Sequence, residues 1–147
     1  MPRYLDAAKR NLDGRGEPYG VWTTALRDEI DTYRKESRSD HGNTALVGFS
    51  LGASLALAAV SDGLQISAIV GCAGGLPDAY LTSLRSLPPM LILHNWGDRA
   101  NAEQLIRLCD MRHYLCEADI GSGAAHGLPA PESESINRIV QFISDRR

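Results

Sequence analysis

The order of short apolar runs and amphipathic segments along the chain predicts an α/β fold of three layers, with a parallel sheet of about four strands between helices. Three observations carry that prediction. Short runs of strand character alternate with segments of helical period. Glycine and proline punctuate the junctions. The 147 residues, 44% hydrophobic and 22% charged, suffice for one packed domain and not for two.

From Val21 to Ser37 the apolar positions Val21, Trp22, Ala25, Leu26, Ile30 and Tyr33 recur at near-helical spacing, which predicts an amphipathic helix ended by "SRSDHGN". "TALVGF" follows as a short buried strand. "SLGASLALAAVSDG" then reads as a helix whose alanines and leucines permit close packing, with Gly63 as its C-terminal stop. "QISAIVGC" is the second strand, "GGLPDAY" a loop, and a short helical or irregular piece runs through Leu84. Pro88 and Pro89 open the third strand, "PPMLILHN". "NAEQLIRLCDM" has helical period and "RHYLCEADI" is the fourth strand. "SESINRIVQFISDR" closes the chain as an amphipathic helix with Ile136, Ile139, Val140 and Ile143 on one face. Strands alternating with helices imply right-handed crossovers and hence a parallel sheet.

Composition excludes several functions. A net charge of −3 with scattered Lys and Arg leaves no basic stripe for phosphates, so nucleic acid is not an expected partner. The segment "MPRYLDAAKRNLDGRGEPYG" lacks the apolar core of a signal peptide, and no apolar run approaches a membrane span; a cytoplasmic location is expected, without membrane association. Cys72, Cys109 and Cys116 form an odd set without C-x-x-C spacing, as reduced thiols packed as small apolar groups would.

Chemistry concentrates at three places. Gly48-Phe49-Ser50-Leu51-Gly52 fits G-x-S-x-G at a strand-to-helix junction, a turn that presents a hydroxyl at the carboxyl edge of the sheet. The alternative reading is that Ser50 only caps the helix, since serine is a favoured N-cap. Asp98 follows the third strand and His126, in "GSGAAHGL", follows the fourth, so both fall on the edge that carries Ser50, where parallel sheets place their ligand sites. The order Ser, Asp, His is that of the α/β-hydrolase arrangement. Each type answers a chemical need: an imidazole takes the serine proton, and a carboxylate holds the imidazole's tautomer and stabilises its cation. The alternatives are that Asp98 caps a loop and His126 is a polar loop residue.

"LVGFSLGAS", "LPPMLILHNWGDR" and "GSGAAHGL" resemble, in that order, the nucleophile elbow, the acid-bearing strand end and the histidine loop of the dienelactone hydrolase-like family of α/β-hydrolases. The resemblance runs from the first helix to the C-terminus. It implies Ser50 as nucleophile, Asp98 as acid and His126 as base, acting on a small-molecule ester or lactone without a cofactor. Dienelactone hydrolases proper carry cysteine in the elbow; the serine here resembles the esterase-like members. "RANA" after Asp98 departs from the family's hydrophobic-Pro pair, and Asp119 is the alternative acid. The Leu51 backbone N–H is the implied oxyanion donor, and no residue matches the family's second donor. Phe49 and Trp96 are candidates for the substrate pocket, and "CAGGLP" either lines that pocket or is a plain turn. Trp22 reads as core, and His94 with Asp98 and His113 matches no common metal-ligand set.

The family places several strands before the elbow, whereas here roughly forty residues precede it with no clear strand. "MPRYLDAAKRN" resembles the segment leading into the helix before the elbow. The chain is therefore expected to be a truncated α/β-hydrolase fold, similar to the C-terminal two-thirds of a hydrolase. A catalytically impaired remnant acting through association is the rival reading. With the upstream strands gone, "TALVGF" would be an uncharged edge, which predicts a homodimer, with "MPRYLDAAKR" folding over the edge.

Overall fold

Apolar, uncharged runs form the first three strands and the charged run Cys116–Gly121 the fourth, and the segments of helical period pack on the sheet. A computed structural model describes residues 18–76, 80 and 84–146, without the side chains of Pro18, Tyr19, His41 and Asp98. Helix α1 (Pro18–Ser37) leads through a 3₁₀ turn to strand β1 (Ala45–Phe49) and helix α2 (Leu51–Ser61). Strands β2 (Ala68–Cys72) and β3 (Met90–Asn95) follow, then helix α3 (Arg99–Arg112), strand β4 (Cys116–Gly121) and helix α4 (Glu132–Ser144). The four strands are parallel in the order β1-β2-β3-β4, with Phe49 in register with Cys72 and Asn95 with Gly121. Chain order and spatial order coincide, so the β1, β3 and β4 ends that carry the candidate chemistry share one edge. The predicted three-layer α/β fold is the observed one.

Strand alternation divides the core. Ile69, Met90 and Ile92 face α2 and α3, meeting Ala56, Leu57, Val60, Ala102, Leu105 and Cys109. Ala68, Val70, Cys72, Leu91 and Leu93 face the other way, against Phe142 of α4. Helix α1 lies on α2 through Ile30, Ala59 and Leu64. Among the described residues α4 is the helix on the second face and covers the middle of the sheet, while Val47 and Phe49, on that face of β1, are 54% and 51% exposed.

Several expectations are corrected. In α1 the buried residues are Trp22, Thr23, Ile30 and Arg34, while Val21 and Tyr33 are exposed. Arg34 stands where the period would place an apolar residue, because its guanidinium donates to Thr44 Oγ1 and to the Gln65 carbonyl across the helix–sheet gap. In α4 the buried positions are Ser135 and Phe142, with Ile139 and Ile143 packed beside them; Ile136 and Val140 are exposed. The expected stripe was shifted around the helix by one position. Strand β4 starts at Cys116 rather than Arg112, because α3 runs to Arg112 and closes at His113, whose φ is 56°, with the Tyr114 N–H donating to the Cys109 carbonyl. The "MPRYLDAAKR" segment and most of the piece before Leu84 lie outside the described residues. Among the described residues, no helix is long and apolar enough to cross a membrane.

Candidate active site

The turn between β1 and α2 must reverse the chain within one residue, and that residue is Ser50, with φ 53° and ψ −119°. A side chain in this region costs of order 1–3 kcal/mol and persists only where surrounding contacts over-determine it. Those contacts are present. The Ser50 N–H donates to the Cys72 carbonyl at 2.7 Å, and the Ser50 carbonyl accepts from the Ala53 and Ser54 N–H groups at 3.0 and 3.2 Å.

Close packing also explains the glycine before the serine. A Cβ on Gly48 would lie 2.5 Å from the Gly52 carbonyl oxygen and 2.6 Å from Ala53 Cα, so only glycine lets α2 cross over β1 at this height. Gly52 is different: nothing lies within 4 Å of its would-be Cβ. The second tight glycine is one the motif does not contain. A Cβ on Gly74 would overlap the Ser50 carbonyl oxygen and come within 2.6 Å of Ala53 Cβ. The neighbouring Gly75 N–H donates to Ser54 Oγ at 3.3 Å. Gly74 and Gly75 therefore buttress the elbow, a role that adjacent glycines after a strand end could have signalled.

The two readings of Ser50 separate on its side chain. It makes no cap hydrogen bond to the start of α2. Its Oγ instead lies 2.9 Å from His126 Nε2. His126 comes from the loop after β4 and is exposed, with its ring tilted 57° to that of Phe49 at 5.6 Å between centroids. Ser50, Phe49 and His126 thus meet at the carboxyl edge of the sheet. The Leu51 N–H begins α2, where a backbone donor has no intrahelical partner and the helix dipole favours negative charge.

Asp98 ends the 3₁₀ turn Trp96–Asp98 that follows β3, on the same edge; its side chain lies outside the described residues. Two glycine contacts lock this turn to the histidine loop. The Gly97 N–H donates to the Gly123 carbonyl at 3.1 Å, and a Cβ on Gly97 would collide with the Ala124 carbonyl. Asp119 sits on the α4 face of β4, where Arg138 Nε donates to its Oδ2 at 3.0 Å. Arg138 and Arg146 also hold Glu117, and the Arg138 hydrogen bond, with lesser help from Arg146, keeps that carboxyl below its ordinary range. Trp96 is exposed and carries the Arg99 guanidinium 4.4 Å over its ring. Trp22 is buried. His94 is buried near the end of β3, about 13 Å along the strand, at 3.3 Å per residue, from the opposite edge where Met90 pairs with Cys116, and His113 lies beyond that edge, before β4.

No family model and no curated protein matches the sequence. Solved structures do. Esterase PE8 superposes with a TM-score of 0.73 at 19% identity, over 88% of this chain and 62% of that one. A dienelactone hydrolase-like promiscuous phosphotriesterase, P91, from metagenomic libraries gives 0.65 at 15% identity, over 94% and 65%. A carboxylesterase from Mesorhizobium loti gives 0.63 at 15%, over 81% and 59%. The chain thus spans less than two thirds of the length of each of these three. At these identities the likeness establishes the fold alone, an α/β-hydrolase fold.

Proposed function

We propose, from that fold and from Ser50 Oγ standing 2.9 Å from His126 Nε2, that the chain is a serine-dependent carboxyl ester hydrolase. The hydrogen bond carries the reading, because a serine hydroxyl becomes a competent nucleophile only when a base can take its proton. Ser50 Oγ attacks the ester carbonyl while His126 Nε2 accepts the hydroxyl proton. The imidazole must then carry its other proton on Nδ1, and Asp98, at the third strand end in the family order, is the group we assign to hold that tautomer. The Leu51 N–H donates to the oxyanion of the tetrahedral intermediate. Collapse breaks the ester C–O bond, and His126 returns the proton to the departing alkoxide. Water activated by the same imidazole releases the acid from Ser50.

Phe49 and Trp96 are our assignments for the substrate-facing groups: both are exposed on this edge, and Phe49 touches the base. The reaction as written needs no cofactor. Location in the cytoplasm is our reading as well, supported by three free thiols, two of them buried.

A second reading has its own support. Leu51 is the one donor assigned to the oxyanion, and removal of one such donor typically costs about 2.7–4 kcal/mol of transition-state stabilisation. The bare second face of β1, with Val47 and Phe49 exposed, suits an impaired hydrolase that works by association. A fluorophosphonate probe followed by mass mapping separates the two. Stoichiometric, time-dependent labelling at Ser50 is expected of the hydrolase. Absence of labelling at Ser50 by a probe that modifies a control esterase would favour the second reading.

A further inference from the structure

We propose that Asn95 is a positioning residue for His126: its carboxamide fills the space left by the glycines of the histidine loop and so holds the imidazole at Ser50. The inference rests on the hydrolase reading above, and its readouts include one that does not need turnover.

The loop from Gly121 to Gly127 contains three glycines in seven residues and lies beyond the end of β4, without regular structure after its first residue. Such a segment loses more conformational freedom on ordering than any other composition, and it must nevertheless bring Nε2 within hydrogen-bond distance of Ser50. Its glycines are not there for unusual backbone angles, because among the described glycines only Gly63 has a positive φ. They are there for space, which the Pro129 backbone and the Asn95 side chain share at Gly121 and Asn95 alone takes at Gly123. A Cβ on Gly121 would collide with the Pro129 carbonyl oxygen and Cα, and would stand 2.8 Å from Asn95 Oδ1. One on Gly123 would stand 3.0 to 3.1 Å from the carboxamide carbon, oxygen and nitrogen together, and one on Gly127 3.6 Å from Nδ2. The carboxamide therefore packs tightly against Gly121 and Gly123, with Gly127 at ordinary contact distance.

A second observation is independent of the first. Asn95 occupies the N-cap of the turn Trp96–Asp98, a position where asparagine ordinarily spends its side chain on the turn's own N–H groups. Here it makes no such bond. The side chain reaches across to the neighbouring strand end instead, where Asn95 and Gly121 are in register. The backbone of the same turn is tied to the loop by the Gly97 N–H to Gly123 carbonyl bond. Turn and loop are thus joined twice, once by backbone and once by the Asn95 carboxamide, two residues from each of Gly97 and the β3 core.

The test uses three variants of the whole chain: Asn95→Ala, Gly123→Ala, and the two together. With a short p-nitrophenyl ester, Asn95→Ala is expected to lower kcat about tenfold with KM within twofold, because a mis-set base slows proton transfer without removing substrate contacts. Gly123→Ala is expected to do the same by pushing the carboxamide out. The double variant should recover at least half of the loss, since the new methyl occupies the volume that the truncated residue vacates. Long-range proton–nitrogen spectra of the His126 ring provide the arm without turnover: a single set of signals in the parent, broadened or doubled in each single variant, sharp again in the double. Unchanged kcat and unchanged His126 signals in both single variants would overturn the proposal, as would a double variant worse than either. If the parent hydrolyses no ester, the hydrolase reading fails while the ring spectra still decide the role of Asn95. Should Asn95→Ala fail to fold, Gly123→Ala alone carries the same decision.

Discussion

Ser50 Oγ and His126 Nε2 lie 2.9 Å apart although 76 residues separate them in the chain. Two strand ends bring them together, and each is held by close packing at particular glycines. Gly48 and Gly74 confine the Ser50 turn, and Asn95, Gly97, Gly121 and Gly123 confine the His126 loop. Strain at Ser50 is thus matched by rigidity around it, as a preorganised nucleophile requires.

Ser50→Ala is expected to abolish hydrolysis of short p-nitrophenyl esters, since it removes the hydroxyl that lies 2.9 Å from His126 Nε2. Turnover kept by the variant, with a probe label at another serine, would remove the triad from the account.

Asp98→Asn should lower turnover more than Asp119→Asn. Asp119 is committed to Arg138 on the α4 face, so its amide variant should act on stability, through the lost ion pair, more than on rate. A larger kcat loss in Asp119→Asn than in Asp98→Asn would transfer the acid role.

The elbow glycines should differ in cost. Gly74→Ala drives a methyl into the Ser50 carbonyl and is expected to destabilise by about 2 kcal/mol, in the range of overpacked cores. Gly52→Ala meets open space inside a helix and should be neutral or stabilising by about 0.5 kcal/mol. Urea midpoints of the two variants check the order.

Burial pushes the Cys72 thiol up from the ordinary 9.0 to about 11. The unfolded chain therefore releases this proton first as pH rises, so the stability conferred by Cys72 is complete below about pH 9 and declines towards pH 11. Cys72→Ala loses packing against Val70, Leu93 and Phe142 but escapes that decline. The difference in urea midpoint between parent and variant should shrink from pH 8 to pH 10.5; a constant difference would show that the thiol titrates as in the unfolded chain.

Pairing of two copies through β1 is our proposal for the oligomeric state. Among the described residues β1 is hydrogen-bonded to β2 alone and has no charge, while the other edge, β4, carries Glu117 and Asp119 locked to Arg138 and Arg146. Charged edges resist strand addition and uncharged ones invite it. Light scattering at micromolar concentration should give twice the chain mass, and Val47→Lys should shift it towards the single chain. A single-chain mass for the parent would mean that β1 is covered within the chain itself.

The alternation of strands and helices, the shared edge of Ser50, Asp98 and His126, and the glycine in the β1–α2 turn were legible in the sequence. Each is a property of neighbours along the chain: apolar period selects strand or helix, and right-handed crossovers then align every strand end on one side. Local period failed where a distant partner overrode it. Arg34 is buried because Thr44 and Gln65 accept its hydrogen bonds, and Ile136 and Val140 are exposed because α4 presents Phe142 to the sheet. The tertiary structure alone decided that Ser50 turns its hydroxyl to His126 instead of capping α2, that Gly74 and not Gly52 supports the elbow, and that Asn95 lies among the glycines of the histidine loop. Those are contacts between segments remote in sequence, set by how closely two backbones approach, and no run of neighbouring residues encodes that distance.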